Sequence, residues 1–242
     1  MNRHSNGIES TGDDVPALDL SRPVNDQIAA ALKDAIFSMR LTPGQMISET
    51  EIGQVFGASR TPVREAFAML REENLIITRP SRGTFVTKLS VHQITSAQFL
   101  RESIEVAVVE NLCEGGLSKA AQAELFDNLE KQRRAVEEGD KATFQVLDDQ
   151  FHLALAKATG LGRIQRALVR EKTVLDRLRV FSLDKIDNMA SLYKEHDQIL
   201  RAVQARHAED ATRQLREHLR LVLGTLSDTV SANSAFFDLE ET

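Results

Sequence analysis

Apolar positions recur at helical spacing along most of the chain, with one interruption near residue 75. Residues 24–40 place Ile28, Leu32, Ile36 and Met39 on one face. That pattern stops at "LTPGQ", where Pro43 and Gly44 mark a turn. Ser48 then stands before Glu49 and Glu51, as an N-cap with acids in the first turn of a second helix ending near Phe56. "GAS" at 57–59 is a tight turn. A third helix is predicted from about Thr61 to Glu73, with Pro62 in its first turn, where a missing N–H costs nothing. Val63, Ala66, Phe67 and Leu70 form its apolar stripe, leaving Arg60, Thr61, Arg64 and Arg71 away from the core. Two β-rich runs follow, 75–78 and 84–87, around a turn holding Pro80 and Gly83, which together read as a hairpin.

From residue 94 the period is helical almost to the end: 94–114, 118–138, 141–159, 162–182, 188–205 and 208–232. The breaks "EGGLS", "EEGD", "TGLG", "SLDKID" and "ARHAED" are rich in glycine or capping residues. The fold expected is mainly α: a winged helix-turn-helix over 22–88, then a bundle of about six helices over 94–232. Residues 88–93 read as a linker, 1–21 as a disordered leader without a signal-peptide core, and 233–242 as a C-terminal tail.

Composition narrows the class. Trp is absent, Tyr occurs once and Pro five times, in keeping with helices over strands. Cys113 is the single cysteine, so no internal disulfide forms and a reducing compartment fits. No apolar run approaches the roughly 20 residues that span a bilayer; a cytoplasmic protein is expected. The net charge of −6 hides an asymmetry. Residues 59–88 carry six basic against three acidic side chains, whereas residues 91–242 carry 20 against 25. A locally basic segment on an acidic chain suggests a confined surface for a polyanion, although short charge excesses are commonly only solvated faces.

The stretch "VLDDQFHLAL" at 146–155 sets Asp148 and His152 one helical turn apart, beside the stripe of Phe144, Leu147, Phe151 and Leu155. His196 falls on the stripe of Leu192, Ile199 and Val203, and His218 lies between Leu215, Leu219 and Val222. His4, His92 and His207 have no obvious partner. A single histidine on an apolar face is usually a satisfied core residue. Three of them, one with a carboxylate a turn away, would together cost several kcal/mol if buried unpaired, since each buried polar group needs a partner. One divalent ion satisfies them together. One oxygen and three neutral nitrogens suit Zn first, with Ni, Fe or Mn as alternatives.

The order helix, turn, helix, turn, helix and basic hairpin, with "SRTPVREA", a following Leu and "RGTFV", resembles the DNA-binding domain of the GntR family of bacterial transcription regulators over about residues 22–88. The resemblance implies that Arg60 and Arg64, with Thr61 beside them, meet the operator from the third helix, and that Arg82 and Gly83 meet it from the wing. Thr50 stands where some relatives carry a further DNA-contacting arginine, so that contact is not carried over. Asn74 stands where Gly is common, and Asn tolerates the left-handed helix end.

The second half, from "FLRESIEVAVVENL" through "DDQFHLAL" and "EHDQIL" to "REHL", is similar to the FCD effector domain of the FadR-type branch, with a helix count like the VanR-like subgroup. The resemblance implies Asp148, His152, His196 and His218 as ligands of one metal ion. It also places Arg101 where relatives face the pocket and bind carboxylate; the plainer reading of Arg101 is an exposed i,i+4 pair with Glu105. Leu161 and His207 depart from common family residues, both in loops.

The leading function is a regulator that binds a palindromic DNA operator as a homodimer and changes affinity when a small carboxylate metabolite enters the effector domain. It is not expected to be an enzyme. The enzyme alternative is a metal-dependent hydrolase or lyase on a helical bundle, against which stand the lack of a separate general base by spacing, of a Gly-rich phosphate loop and of a nucleophile elbow. Cys113, among Val108, Val109 and Leu112, reads as core. A third reading is a regulator whose histidines bind no metal.

Overall fold

The computed structural model describes residues 17–182, 189–224 and 226–238. The expected leader therefore falls mostly outside the described residues, as do the loop "SLDKID" and residues 239–242. The chain divides into two compact units, one of residues 1–91 with 232–242 and one of residues 92–231.

The first unit opens with α1 (Val24–Phe37), β1 (Met46–Ile47), α2 (Glu49–Phe56) and α3 (Arg60–Glu72). The hairpin is β2 (Ile76–Arg79) and β3 (Gly83–Val86), antiparallel, with Ile77 opposite Phe85 and Arg79 opposite Gly83. Its turn follows the rule for Pro at the first central position: Arg82 N–H bonds Arg79 C=O at 3.0 Å, and Ser81 takes the positive φ of 59° that the second position requires. The sequence pattern missed β1, which pairs Met46 with Phe85 and completes a sheet of order β1-β3-β2. A two-residue strand offers no period to detect. The first helix also stops three residues short of the expected 40, because Met39 adopts φ 61° and Leu41 folds back to bond Ala35 C=O at 2.8 Å.

Ser48 caps α2 through Glu51 N–H, and Gly57 closes it in the left-handed conformation. Asn74, at φ 56°, ends α3 in the same conformation, with Leu75 N–H returning to Leu70 C=O at 2.9 Å. Ile28, Leu32, Ile36, Ile52, Val63, Phe67, Leu70 and Val86 meet in one core. Each helix thus buries one stripe, and the first turn of α3 is left in water.

The second unit is helical: α4 (Val91–Gly115), α5 (Lys119–Glu138), α6 (Lys141–Ala158), α7 (Gly162–Ser182), α8 (Met189–Gln204), α9 (Ala208–Gly224) and the short α10 (Leu226–Ala232). The expected helix 208–232 is helical over Ala208–Gly224 and Leu226–Ala232, and residue 225 is outside the described residues. Caps set the register of the bundle. Ser118 starts α5 by accepting from Ala121 N–H, Gly139 ends it at φ 69°, and Asp140 starts α6 by accepting from Thr143 N–H at 3.0 Å. The core gathers Val109, Leu112, Leu125, Phe151, Leu155, Ile199, Val203, Leu215 and Leu219 from α4, α5, α6, α8 and α9.

The residues read as linker and as tail carry structure. Leu89–Ser90 form β4, α4 begins at Val91, and Phe237–Asp238 form β5, which runs parallel to β4. Among the described residues no helix is long and apolar enough to cross a membrane.

Phe67 is fully buried in the first core. Phe67→Ala is expected to destabilise that unit by about 3–5 kcal/mol, read as an earlier urea transition of the full chain.

Candidate metal centre

Helices α6, α8 and α9 bring the four expected ligands to one point. Asp148 and His152 project from successive turns of α6, His196 from α8 and His218 from α9, and all four are buried. One donor atom from each lies within 4.8 Å of the other three. The closest approaches are His196 Nε2 to His218 Nε2 at 3.2 Å, His218 Nε2 to His152 Nε2 at 3.2 Å, and His196 Nε2 to Asp148 Oδ1 at 3.4 Å. An ion bound tetrahedrally at about 2.0–2.1 Å would separate its donors by about 3.3 Å. These three separations are those of a coordination shell, and the four donors together could hold a metal ion.

The polarity of the rings strengthens the fit. His152 Nδ1 lies 2.6 Å from Glu105 Oε2, and His218 Nδ1 lies 2.8 Å from Glu195 Oε2. A carboxylate only accepts, so in the neutral ring each Nδ1 holds the proton and each Nε2 turns a lone pair inward. His196 Nδ1 is 2.8 Å from Gln132 Oε1. Inward-facing acceptors 3.2 Å apart have no proton to share, and a cation is what relieves them. The outer oxygens meanwhile orient the rings.

Electrostatics favour the ligating form. Burial pushes His196 well below the usual imidazole range, and neighbouring His218 adds to this against the opposing Asp148 carboxylate. Burial also lowers His218, partly offset by its bond to Glu195. Neutral imidazole is the form that binds metal. Phe151 stacks on His196 with ring centroids 4.5 Å apart, holding the ring in place and water away.

Arg101 sits in the layer behind His152. Its Nε donates to Glu105 Oε1 at 2.6 Å, so the i,i+4 pair exists, but Glu105 is buried and Arg101 half-buried, and neither is exposed as the plainer reading held. Burial opposes ionisation of Glu105, and His152 and Arg101 outweigh it, holding the carboxyl well below its usual range. Gln132 and Glu195 were not singled out in the sequence, and Glu105 was read only as a partner of Arg101. The legible signal was a polar residue on an apolar stripe: Asn128 and Gln132 occupy core positions of α5 beside Leu125, Leu129 and Ala135.

The expected nucleic-acid face lies elsewhere, on the first unit. Arg60, Thr61 and Arg64 are exposed on the first turns of α3, and Arg82 and Gly83 are exposed at the wing turn. Gly83 has φ 111°, which other residues rarely adopt. Arg71, read as free of the core, is half-buried and donates to Thr78 Oγ1 on the wing at 3.4 Å.

Comparisons with known proteins agree with both halves. Residues 24–86 match the family described as bacterial regulatory proteins, gntR family, and residues 97–221 match the FCD domain. The chain is 33% identical over 223 residues to the HTH-type transcriptional repressor RspR of Escherichia coli K12, covering 92% of this chain and 97% of that protein. It is 34% identical over 191 residues to an uncharacterized HTH-type transcriptional regulator of Streptomyces ambofaciens, covering 79% and 80%. Among solved structures, Escherichia coli McbR/YncC superposes with a TM-score of 0.69 at 22% identity, covering 85% of this chain and 97% of that one. A putative GntR regulator from Rhodococcus sp. RHA1 superposes with a TM-score of 0.65 at 26% identity, covering 83% and 97%.

Removing one partner of a buried ion pair strands the other. Glu105→Leu is therefore expected to destabilise the metal-free protein by about 3–5 kcal/mol. The double variant Arg101→Leu, Glu105→Leu should lose less than Glu105→Leu alone, as thermal unfolding of the two proteins will show.

Proposed function

Because the chain belongs to the gntR family of bacterial regulatory proteins and carries an FCD domain, we propose that this transcription regulator uses its helical unit as a metal-dependent sensor of a small organic acid. Binding there changes how tightly the winged unit holds its operator. The observation that carries this reading is the convergence of Asp148 Oδ1 and three imidazole Nε2 atoms at coordination spacing.

The donor set favours Zn, with Ni, Fe or Mn as the alternatives. Among its ligands a divalent ion meets one carboxylate, Asp148, and the positive charge left at the ion, with Glu105 and Glu195 only behind the rings, is the attraction a carboxylate effector meets. Arg101 supports the same chemistry. Among the described residues its bond runs from Nε to Glu105, and its two Nη groups keep the fork that suits a carboxylate. Effector binding then biases the helices that carry the ligands, which requires different affinities for two states of the protein.

On the winged unit, Arg60, Thr61 and Arg64 read base edges or adjacent phosphates, while Arg82 and Gly83 engage the neighbouring groove. One recognition helix spans only a few base pairs, so a homodimer on palindromic half-sites is the working form, in the cytoplasm. No turnover of the effector is involved.

Two measurements test these assignments. The double variant His196→Ala, His218→Ala should lose bound metal, melt lower and fail to respond to small carboxylates; a protein matching the parent in all three would defeat the metal reading. Arg64→Ala should weaken operator binding by about 1–3 kcal/mol if the guanidinium makes a bidentate base contact. Unchanged affinity in both Arg60→Ala and Arg64→Ala, measured on the protein's own upstream DNA, would overturn the DNA-reading assignment.

A further inference from the structure

Two of the three inward-facing histidines have their polarity set by carboxylates, and the third does not. His196 meets an amide, Gln132, whose oxygen and nitrogen have the same shape and opposite roles. Something else must decide which end faces the ring.

The neighbouring bonds decide it. Asn128 Nδ2 lies 3.0 Å from the backbone carbonyl of Leu147. That carbonyl only accepts, so Asn128 turns its nitrogen to it and its oxygen the other way. Asn128 Oδ1 then lies 2.7 Å from Gln132 Nε2, which also approaches Leu147 C=O at 3.4 Å. With its nitrogen committed to these two acceptors, Gln132 presents Oε1 to His196 Nδ1. Nδ1 must hold the proton, and Nε2 is left as a lone pair aimed at His218 and Asp148.

We propose that Asn128 and Gln132 are positioning residues that preset the tautomer of His196 for ligation, with the Leu147 carbonyl as the fixed reference. The inference rests on the metal reading above and extends it to α5, a helix that contributes none of the four ligands. Both side chains are buried, Gln132 at 0% exposure, so water offers no substitute partner. The reference carbonyl sits on α6 immediately before Asp148, so the helix that supplies two ligands also orients a third ligand on α8. Because the relay is neutral, it orients His196 without adding a carboxylate to a region that already holds Asp148, Glu105 and Glu195. The cost is that the orientation depends on an unbroken chain of amide polarity, which a neutral substitution can cut.

The test uses the full chain, metal-free and 15N-labelled, with long-range 1H–15N spectra reporting which nitrogen of each histidine carries the proton. Parent His196 is expected as the Nδ1–H tautomer. In Gln132→Met the ring loses its acceptor and is expected to shift toward Nε2–H, donating to Asp148 or His218. Asn128→Leu, which does not touch His196, should shift the same ring in the same direction by a smaller amount. His152 and His218 should keep their tautomers in both variants. Zinc affinity, measured by chelator competition, should fall about 10- to 100-fold in Gln132→Met and less in Asn128→Leu. Retention of the Nδ1–H tautomer in both variants overturns the relay. A tautomer shift with zinc affinity unchanged overturns its role in presetting the site. If Gln132→Met does not fold, Asn128→Leu decides the question alone. Failure of the parent to take up zinc would count against the metal reading, while the metal-free spectra still decide the relay.

Discussion

Four lone pairs converge on one buried point of the helical unit, and their mutual repulsion is the constraint around which that unit is organised. Three come from imidazoles and one from a carboxylate, with neighbours 3.2–3.4 Å apart. Without a cation the arrangement crowds acceptors together, and crowding buried acceptors is costly. With one, the same atoms tie α6, α8 and α9 together at a single point. The surrounding hydrogen bonds to Glu105, Gln132 and Glu195 hold the rings in the orientation that the convergence needs.

How much of this was legible in the chain depends on whether a feature is periodic. The long helices, the hairpin and the core-facing placement of Asp148, His152, His196 and His218 follow from spacing, because i,i+4 neighbours share a face and a histidine on an apolar stripe has few places to go, while the family resemblance implied the four as one ligand set. Asn74 and Gly57 could be read as helix ends for a local reason, the left-handed backbone they tolerate. The pair β1 and β3 joins residues about 40 positions apart through two residues of strand, and nothing local marks it. Glu105 shows the subtler limit. Its spacing from Arg101 was plain, but burial is decided by α6 packing over it, so a pair that looks solvated in one dimension is interior in three. Gln132 and Asn128 were visible as polar residues in an apolar register, a pattern that marks a buried network without naming its target.

The winged unit obeys the opposite economy. Its core uses one stripe from each short helix, and the residues expected to meet DNA are left without ion-pair partners among the described residues. Arg60 and Arg64 stay in water at the start of α3, and Arg82 stands at a turn whose backbone is already fixed by Pro80 and Ser81. Arg71 differs because Thr78 captures it, which braces the recognition helix against the wing. A basic surface that is pre-ordered but unpaired has little to break before it meets phosphate.

The short parallel pairing of β4 with β5 gives the chain an unusual topology. The helical unit leaves the first unit at residue 91 and hands the chain back at 232, where the last described residues join Leu89 and Ser90 as a strand. In the sense of connectivity the helical unit is an insertion, not an appendage, and the first unit contains both the early and the late parts of the chain. The two-residue ladder thus pairs the early and the late parts of the chain within the first unit. Removing Phe237 and Asp238 would correspondingly disturb the unit that begins the sequence, because the strand lost there pairs with Leu89 and Ser90.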